Sequence, residues 1–147
     1  LWASTSGVLI IVEPGTTQGW RIILQARDRL MAAGAVIAAP CPHDGPCPFA
    51  PPDWCRFTCR VARSKLHRLL KNGDAPFEDE RFIYLAASRF PAKRPPGRVI
   101  AAPDITPGKI RLHLCRNSGD TADSLITRRD GALFKRAKRL RRGDGFP

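Results

Sequence analysis

An α/β fold with its first strands in a parallel sheet is what the sequence predicts, and three neighbouring features predict it. Residues 7–12, Gly-Val-Leu-Ile-Ile-Val, form a continuous apolar, β-branched run, the pattern of a strand buried on both faces. Trp20, Ile23, Leu24, Leu30 and Met31 then recur at helical spacing behind Thr16 and Thr17, either of which can cap a helix. After Gly34, a natural helix stop, residues 36–39 (Val-Ile-Ala-Ala) supply a second short strand. Glu13-Pro14-Gly15 ends the first strand abruptly, and Glu13 sits where open α/β sheets place ligand sites.

The remaining elements follow in order. Residues 40–53 form a loop stiffened by proline. Residues 56–71 read as a helix with Val61, Leu66, Leu69 and Leu70 on one side. Arg56, Arg60, Arg63, Lys65, Arg68 and Lys71 dominate its other side with no acidic residue among them, so this face suits an anion. Glu78-Asp79-Glu80 precedes a strand over 81–87, and residues 90–97 make a Pro-rich basic connection. Residues 98–101 and 109–115 flank a Pro/Gly turn and read as a hairpin. In its second arm Ile110, Leu112 and Leu114 face one way, while Lys109, Arg111, His113 and Cys115 face the other. That puts Cys115 on a polar face or strand end. Residues 124–127 suit one more strand and residues 130–140 a terminal helix. The whole reads as one domain with four parts: 1–39, 40–59, 60–127 and a basic tail over 128–147.

A chain of 147 residues, 43% of them hydrophobic, can bury a real core. No apolar run approaches the length of a membrane span. The first residues, Leu1-Trp2-Ala3, carry neither an initiator Met nor a basic leader, which leads us to expect the later part of a longer protein. The charge is +12, from 25 basic and 13 acidic residues, and the pI is near 10.6. Nucleic acid is the polyanion this implies first and an anionic membrane surface second, unless genome composition alone accounts for the arginines. Residues 128–142 add eight cations, Arg128, Arg129, Lys135, Arg136, Lys138, Arg139, Arg141 and Arg142, against one Asp.

Chemistry concentrates in the cysteines. Four of the five, Cys41, Cys47, Cys55 and Cys59, fall within nineteen residues, and Cys115 stands far downstream. An odd count without a secretory leader argues for a reducing compartment, where clustered thiols are metal ligands rather than disulfides. Proline, aspartate and glycine around them, as in Pro40-Cys-Pro-His-Asp-Gly-Pro-Cys-Pro48, make a polar loop rather than a core in which cysteine is a small hydrophobe. The spacing fits neither a ferredoxin run nor paired C-x2-C zinc knuckles, so it indicates a soft-metal site without choosing between [4Fe–4S] and zinc. His43 is either a ligand or a donor behind the ligands. No glycine-rich nucleotide motif and no Ser/His/Asp set is visible, and neither His67 nor His113 has an acidic neighbour in sequence.

Several strings taken together resemble one family. They are residues 12–16 (Val-Glu-Pro-Gly-Thr), 39–48 with both prolyl cysteines, 53–57 (Asp-Trp-Cys-Arg-Phe) and 60–63 (Arg-Val-Ala-Arg). Residues 77–80 ahead of the Tyr84 strand, 98–100, the Leu114-Cys115 strand end and the Lys135 and Asp144 region add to them. The match, over nearly the whole chain, is similar to the methyltransferase-like ribosomal small-subunit assembly factors, the mitochondrial small-subunit Rsm type and bacterial relatives. The resemblance implies the C-terminal part of a class I, Rossmann-like S-adenosylmethionine methyltransferase fold with an inserted cysteine loop. It implies a [4Fe–4S] cluster on Cys41, Cys47, Cys55 and Cys115, with Cys59 an extra. It also implies binding to small-subunit rRNA through the 56–71 helix and the 128–142 tail. S-adenosylmethionine belongs only to a fuller chain, because the glycine-rich cofactor turn is absent. Two alternatives stand beside the assembly role: an active rRNA methyltransferase whose cofactor half lies upstream, and a zinc-stabilised RNA-binding protein. The composition suggests a bacterial cytoplasm, with the mitochondrial matrix as the alternative.

Overall fold

The computed structural model describes residues 1–147 as two antiparallel β-sheets, each with its own hydrophobic core. The first unit contains β1 (Val8–Pro14), α1 (Thr17–Ala32), β2 (Val36–Ala39), β3 (Phe57–Ala62), α2 (Lys65–Leu70) and β4 (Phe77–Ser88). Its strand order is β1-β4-β2, with β3 also paired to β4. The strand–helix–strand unit is as the sequence predicts, and β1 and β2 do run the same way. They are not neighbours, however. The long strand β4 lies between them, antiparallel to both. The expected parallel sheet is therefore corrected to an antiparallel one, since the slot is filled by a strand from much later in the chain.

α1 begins as its capping residues dictate. The Thr16 hydroxyl accepts from the Gly19 amide at 3.1 Å. Gly19 is required by close approach, because a Cβ there would meet the Pro14 carbonyl oxygen at 2.1 Å. Gly34, at φ +80°, turns the chain into β2. Trp20, Ile23 and Leu30 pack on Ile37, Ile83, Leu85 and Ala87. Leu9 and Ile11 of β1 join this core, whereas Val8, Ile10 and Val12 are 54–63% exposed. A run written as if for two buried faces thus has one face covered here.

The expected basic helix over 56–71 is also corrected. Residues 57–62 are strand β3, and only Lys65–Leu70 is helical, capped by the Ser64 hydroxyl accepting from the His67 amide. The cause lies outside the segment. Glu78, Asp79 and Glu80 are part of β4 and stand opposite Val61, Arg60 and Cys59. Arg60 makes two hydrogen bonds to Asp79, at 2.8 and 3.0 Å. Glu78 gathers Arg63 at 2.9 Å, Lys71 at 2.7 Å and His67 at 3.4 Å. Cross-strand charge pairing of this kind stabilises the sheet over the helix that local pattern favours. The leucines of α2 are left outside: Leu66, Leu69 and Leu70 are all exposed.

The second unit contains β5 (Gly97–Val99), β6 (Asp104–Thr106), β7 (Lys109–Arg116), β8 (Thr121–Thr127), α3 (Ala132–Ala137) and β9 (Gly145–Phe146). The order is β6-β7-β5-β9, with β8 on the other edge of β7. The expected hairpin forms, with the short β6 nearest its turn and β5 beyond. Ile110, Leu112 and Leu114 are buried with Val99, Ile126, Phe134, Ala137 and Phe146. The terminal helix is shorter than 130–140, because a turn at 128–130 is closed first by the Asp130 carboxylate accepting from the Thr127 amide and hydroxyl. No helix is long and apolar enough to cross a membrane.

Burial separates two leucines that composition alone treats alike. Leu85 is fully buried, so Leu85→Ala should cost about 2–5 kcal/mol in thermal or denaturant unfolding. Leu69→Ala, on the exposed side of α2, should stay within about 0.5 kcal/mol of the parent. Acid should act on the β3–β4 pairing. Hydrogen bonds from Lys71, then Arg63, hold Glu78 down at about 2. The stability this gives is complete above the ordinary carboxylate range and is lost as pH falls through about 2. Melting temperature should therefore fall less steeply between pH 5 and pH 2 in Glu78→Gln than in the parent; equal slopes would mean that the pairing does not support the fold.

Candidate metal centre

The cysteine loop leaves β2 at Pro40 and returns at β3, and it lies against the second sheet. Cys41, Cys47 and Cys55 pack on the edge of the first core, beside Phe49 and Trp54. Cys115 comes from the end of β7 in the second sheet. All four line one cavity of about 30 Å³, walled also by Pro40, Pro42, His43, Pro48, Phe49, Arg98 and Ile100. Cys59 is absent from it. It is exposed on β3, as expected of the extra cysteine. The alternation read for β7 holds, but Cys115 is buried, because the loop covers the end of what is otherwise a polar face.

Hydrogen bonds tie the loop to both units. The Trp54 indole donates to the Gly15 carbonyl at 3.0 Å, tying the loop to the start of α1. Arg98 of β5 donates to the Pro40 carbonyl at 2.8 Å and to the Gly143 carbonyl at 2.6 Å. Arg94 grips both oxygens of Asp44, at 2.6 and 2.7 Å. His43 is buried, with Nε2 3.4 Å from the Cys115 sulfur and Nδ1 lacking a partner. From α1, the buried Arg27 donates to the carbonyls of His43 and Gly45.

Burial, and then the proximity of the other thiols, pushes Cys55 and Cys115 up to about 12. Burial also raises Cys41, against the pull of Arg27. Thiols that raise one another are within electrostatic reach. His43 is held toward its neutral form by burial and by Arg27. No three His, Cys, Asp or Glu side chains are drawn about a single point. The four sulfurs surround the cavity instead. Four thiols around one cavity are a donor set that could hold a soft metal ion or a cluster.

The cations expected to meet RNA are divided by the structure. Arg60, Arg63 and Lys71 are spent on Asp79 and Glu78. Arg56 lies over the Trp54 ring at 4.9 Å. Arg142 is turned inward, its Nε donating to the Ile100 carbonyl at 2.6 Å, and burial lowers its pKa. Lys65 of α2 is exposed; Arg68 is half-buried, with its Nε unpartnered. Arg128, Arg129, Lys135, Arg136, Lys138, Arg139 and Arg141 are all exposed around α3, with Lys138 over the Phe134 ring at 5.0 Å. Glu13 lies at the end of β1 under the first turn of α1, away from the cysteines. His113 does have an acidic partner, Asp123, which faces it across β7 and β8 at 2.5 Å.

Arg27 escaped the sequence reading. Its signal was present, since position 27 continues the buried helical stripe of Trp20, Ile23 and Leu30. A guanidinium at a core position is the observation that points to a nearby anion.

Residues 1–147 match the model of the family described as "Mitochondrial small ribosomal subunit Rsm22". A human protein named "Ribosome assembly protein METTL17, mitochondrial" is 27% identical over 164 aligned residues, which cover 100% of this chain and 34% of that protein. Two Schizosaccharomyces pombe proteins, Rsm22-cox11 tandem proteins 1 and 2, mitochondrial, are each 40% identical over 61 residues, or 33% of this chain and 8% of theirs. The chain thus spans about a third of the length of the human relative and less of the yeast ones.

Proposed function

This chain belongs to the mitochondrial small ribosomal subunit Rsm22 family, and on that premise we propose that it is a metal-caged module that supports small-subunit assembly by binding its rRNA. Cys41, Cys47, Cys55 and Cys115 would hold a [4Fe–4S] cluster. The observation that carries the reading is that one loop and one strand, from two separate sheets, bring four thiols to one buried cavity. A single zinc ion on the same four thiols is the alternative. Bound there, the cluster supplies a rigid bridge between the two sheets. Arg98, Arg94 and Arg27 hold the loop in place to receive it.

RNA contact falls to the exposed cations of α3 and its flanks, with Lys65 and Arg68 as a second patch. Phosphate contacts of this kind give affinity that weakens steeply with salt. The names of the relatives favour the mitochondrial matrix over the bacterial cytoplasm as the place where the protein works. The whole relatives are longer, and no residue here is assigned to methyl transfer.

Anaerobic purification followed by iron, sulfide and zinc analysis tests the cage. Iron and sulfide in cluster ratio are expected, lost in Cys41→Ser and Cys115→Ser and kept in Cys59→Ser. A colourless protein with one zinc would replace the cluster by an ion, and no metal at all would sink the cage. Cys47→Ser should lower the melting temperature and weaken binding to small-subunit rRNA together. In a separate test, changing Lys135, Lys138 and Arg139 together to Ala should weaken rRNA binding. It should also flatten the salt dependence by roughly 1 in log–log slope for each phosphate no longer neutralised. Arg60→Ala, whose charge is already paired, should leave the slope unchanged. An equal effect from Arg60 would remove the assignment to the α3 surface.

A further inference from the structure

Arg27 is 3% exposed, as buried as the apolar residues beside it on α1. A guanidinium cannot shed its charge, so burial is tolerated only where that charge is answered. Two of its contacts are neutral: Nη2 donates to the carbonyls of His43 at 3.0 Å and Gly45 at 2.9 Å. Its nearest carboxylate, Asp28, is 3.7 Å from Nη1 and three-quarters exposed, too distant for a hydrogen bond and well screened by water. The Nε is buried with no partner at all. What remains within reach is the cage. Both carbonyls belong to the loop segment between Cys41 and Cys47, and the ring of His43 lies 3.4 Å from the Cys115 sulfur, so the charge sits directly behind the thiols.

We propose that Arg27 is the fixed counter-cation of the four-thiolate cage, and that it governs how readily the centre held there accepts an electron. The inference rests on the cage reading above. Its physical basis is simple. An electron taken from dithionite stays on the centre and makes it one charge more negative. A buried positive charge beside one of its ligands stabilises that state more than the state before it. Arginine suits the role because its fork clamps two loop carbonyls while the charge stays put. Arg98 lines the cavity itself, but it is only half-buried, so water screens its charge more. Arg27 is a positioning residue in this account, acting through the loop.

The test compares the anaerobically reconstituted parent, Arg27→Lys and Arg27→Gln by dye-mediated redox titration with dithionite. In Arg27→Gln the potential should move negative by at least the equivalent of a tenfold lower reduced-to-oxidised ratio, about 59 mV for one electron. Arg27→Lys should stay within that margin of the parent. A purely structural role would lower cluster occupancy and leave the potential of the loaded fraction unmoved, and that result overturns the inference. If Arg27→Gln fails to load, rescue of loading and potential by Arg27→Lys supports it; failure of both variants reduces Arg27 to a clamp on carbonyls and overturns it. If the parent holds zinc, the same three proteins are compared by chelator competition. Arg27→Gln should then bind at least tenfold more weakly, and equal affinities would overturn the inference. A parent without any metal sinks the cage itself, a failure distinct from an unmoved potential in a loaded variant.

Discussion

The four thiols meet in the seam between the two sheets, and the rest of the site is arranged around that meeting. Each sheet completes a small core of its own, Trp20 to Ala87 on one side and Val99 to Phe146 on the other. Between them lie guanidiniums bonded to carbonyls, one exposed ion pair and four thiols. The hydrophobic effect holds each half together, and across the seam it acts where Phe49, Ile100 and the loop prolines line the cavity and Phe57 meets Gly143. Carbonyl hydrogen bonds contribute only modest net stability each. A group ligated from both sides converts a weak contact into a fixed one, and its binding energy becomes folding energy. Charge points the same way. A chain at +12 repels itself, and thiolates ligating a metal group in the seam would place negative charge beside Arg98.

What the sequence made legible was local. α1 was visible because its cap, its apolar stripe and its stop are all written within residues 16–34. The β7 alternation was visible for the same reason. Cys41, Cys47, Cys55 and Cys115 share a cavity that Cys59 does not line, a grouping that in the sequence came from the family resemblance and not from spacing. What failed depended on partners far away in the chain. Residues 56–71 carry a helical pattern, but their charges are answered by Glu78 and Asp79, and the register with β4 decides the matter. Three cations counted toward an RNA surface were thereby already paired. Arg142 was counted too, because nothing in a basic tail reveals which arginine turns back to cap a carbonyl.

The exposed face of β1 shows the limit from the other side. Residues 7–12 spell a strand with apolar side chains on both faces, and the structure covers only the face against α1. β1 pairs along one edge with β4 and leaves its other edge free. A flat, uncharged, apolar edge strand is one that folded proteins keep covered, because it invites pairing with any passing strand. The pattern of these residues is the one a strand covered on both faces carries, and within the 147 residues only the α1 face is covered. The basic surface carries no such sign. Around α3 the cations sit in solvent over a closed core, with no apolar row among them, as a surface that meets phosphate should. One side of the module is thus an exposed apolar face and another an exposed basic one. Were the four thiols to hold a metal group as proposed, it would tie together the sheets that carry them, and its loss would disturb the presentation of the basic surface without touching a single cation on it.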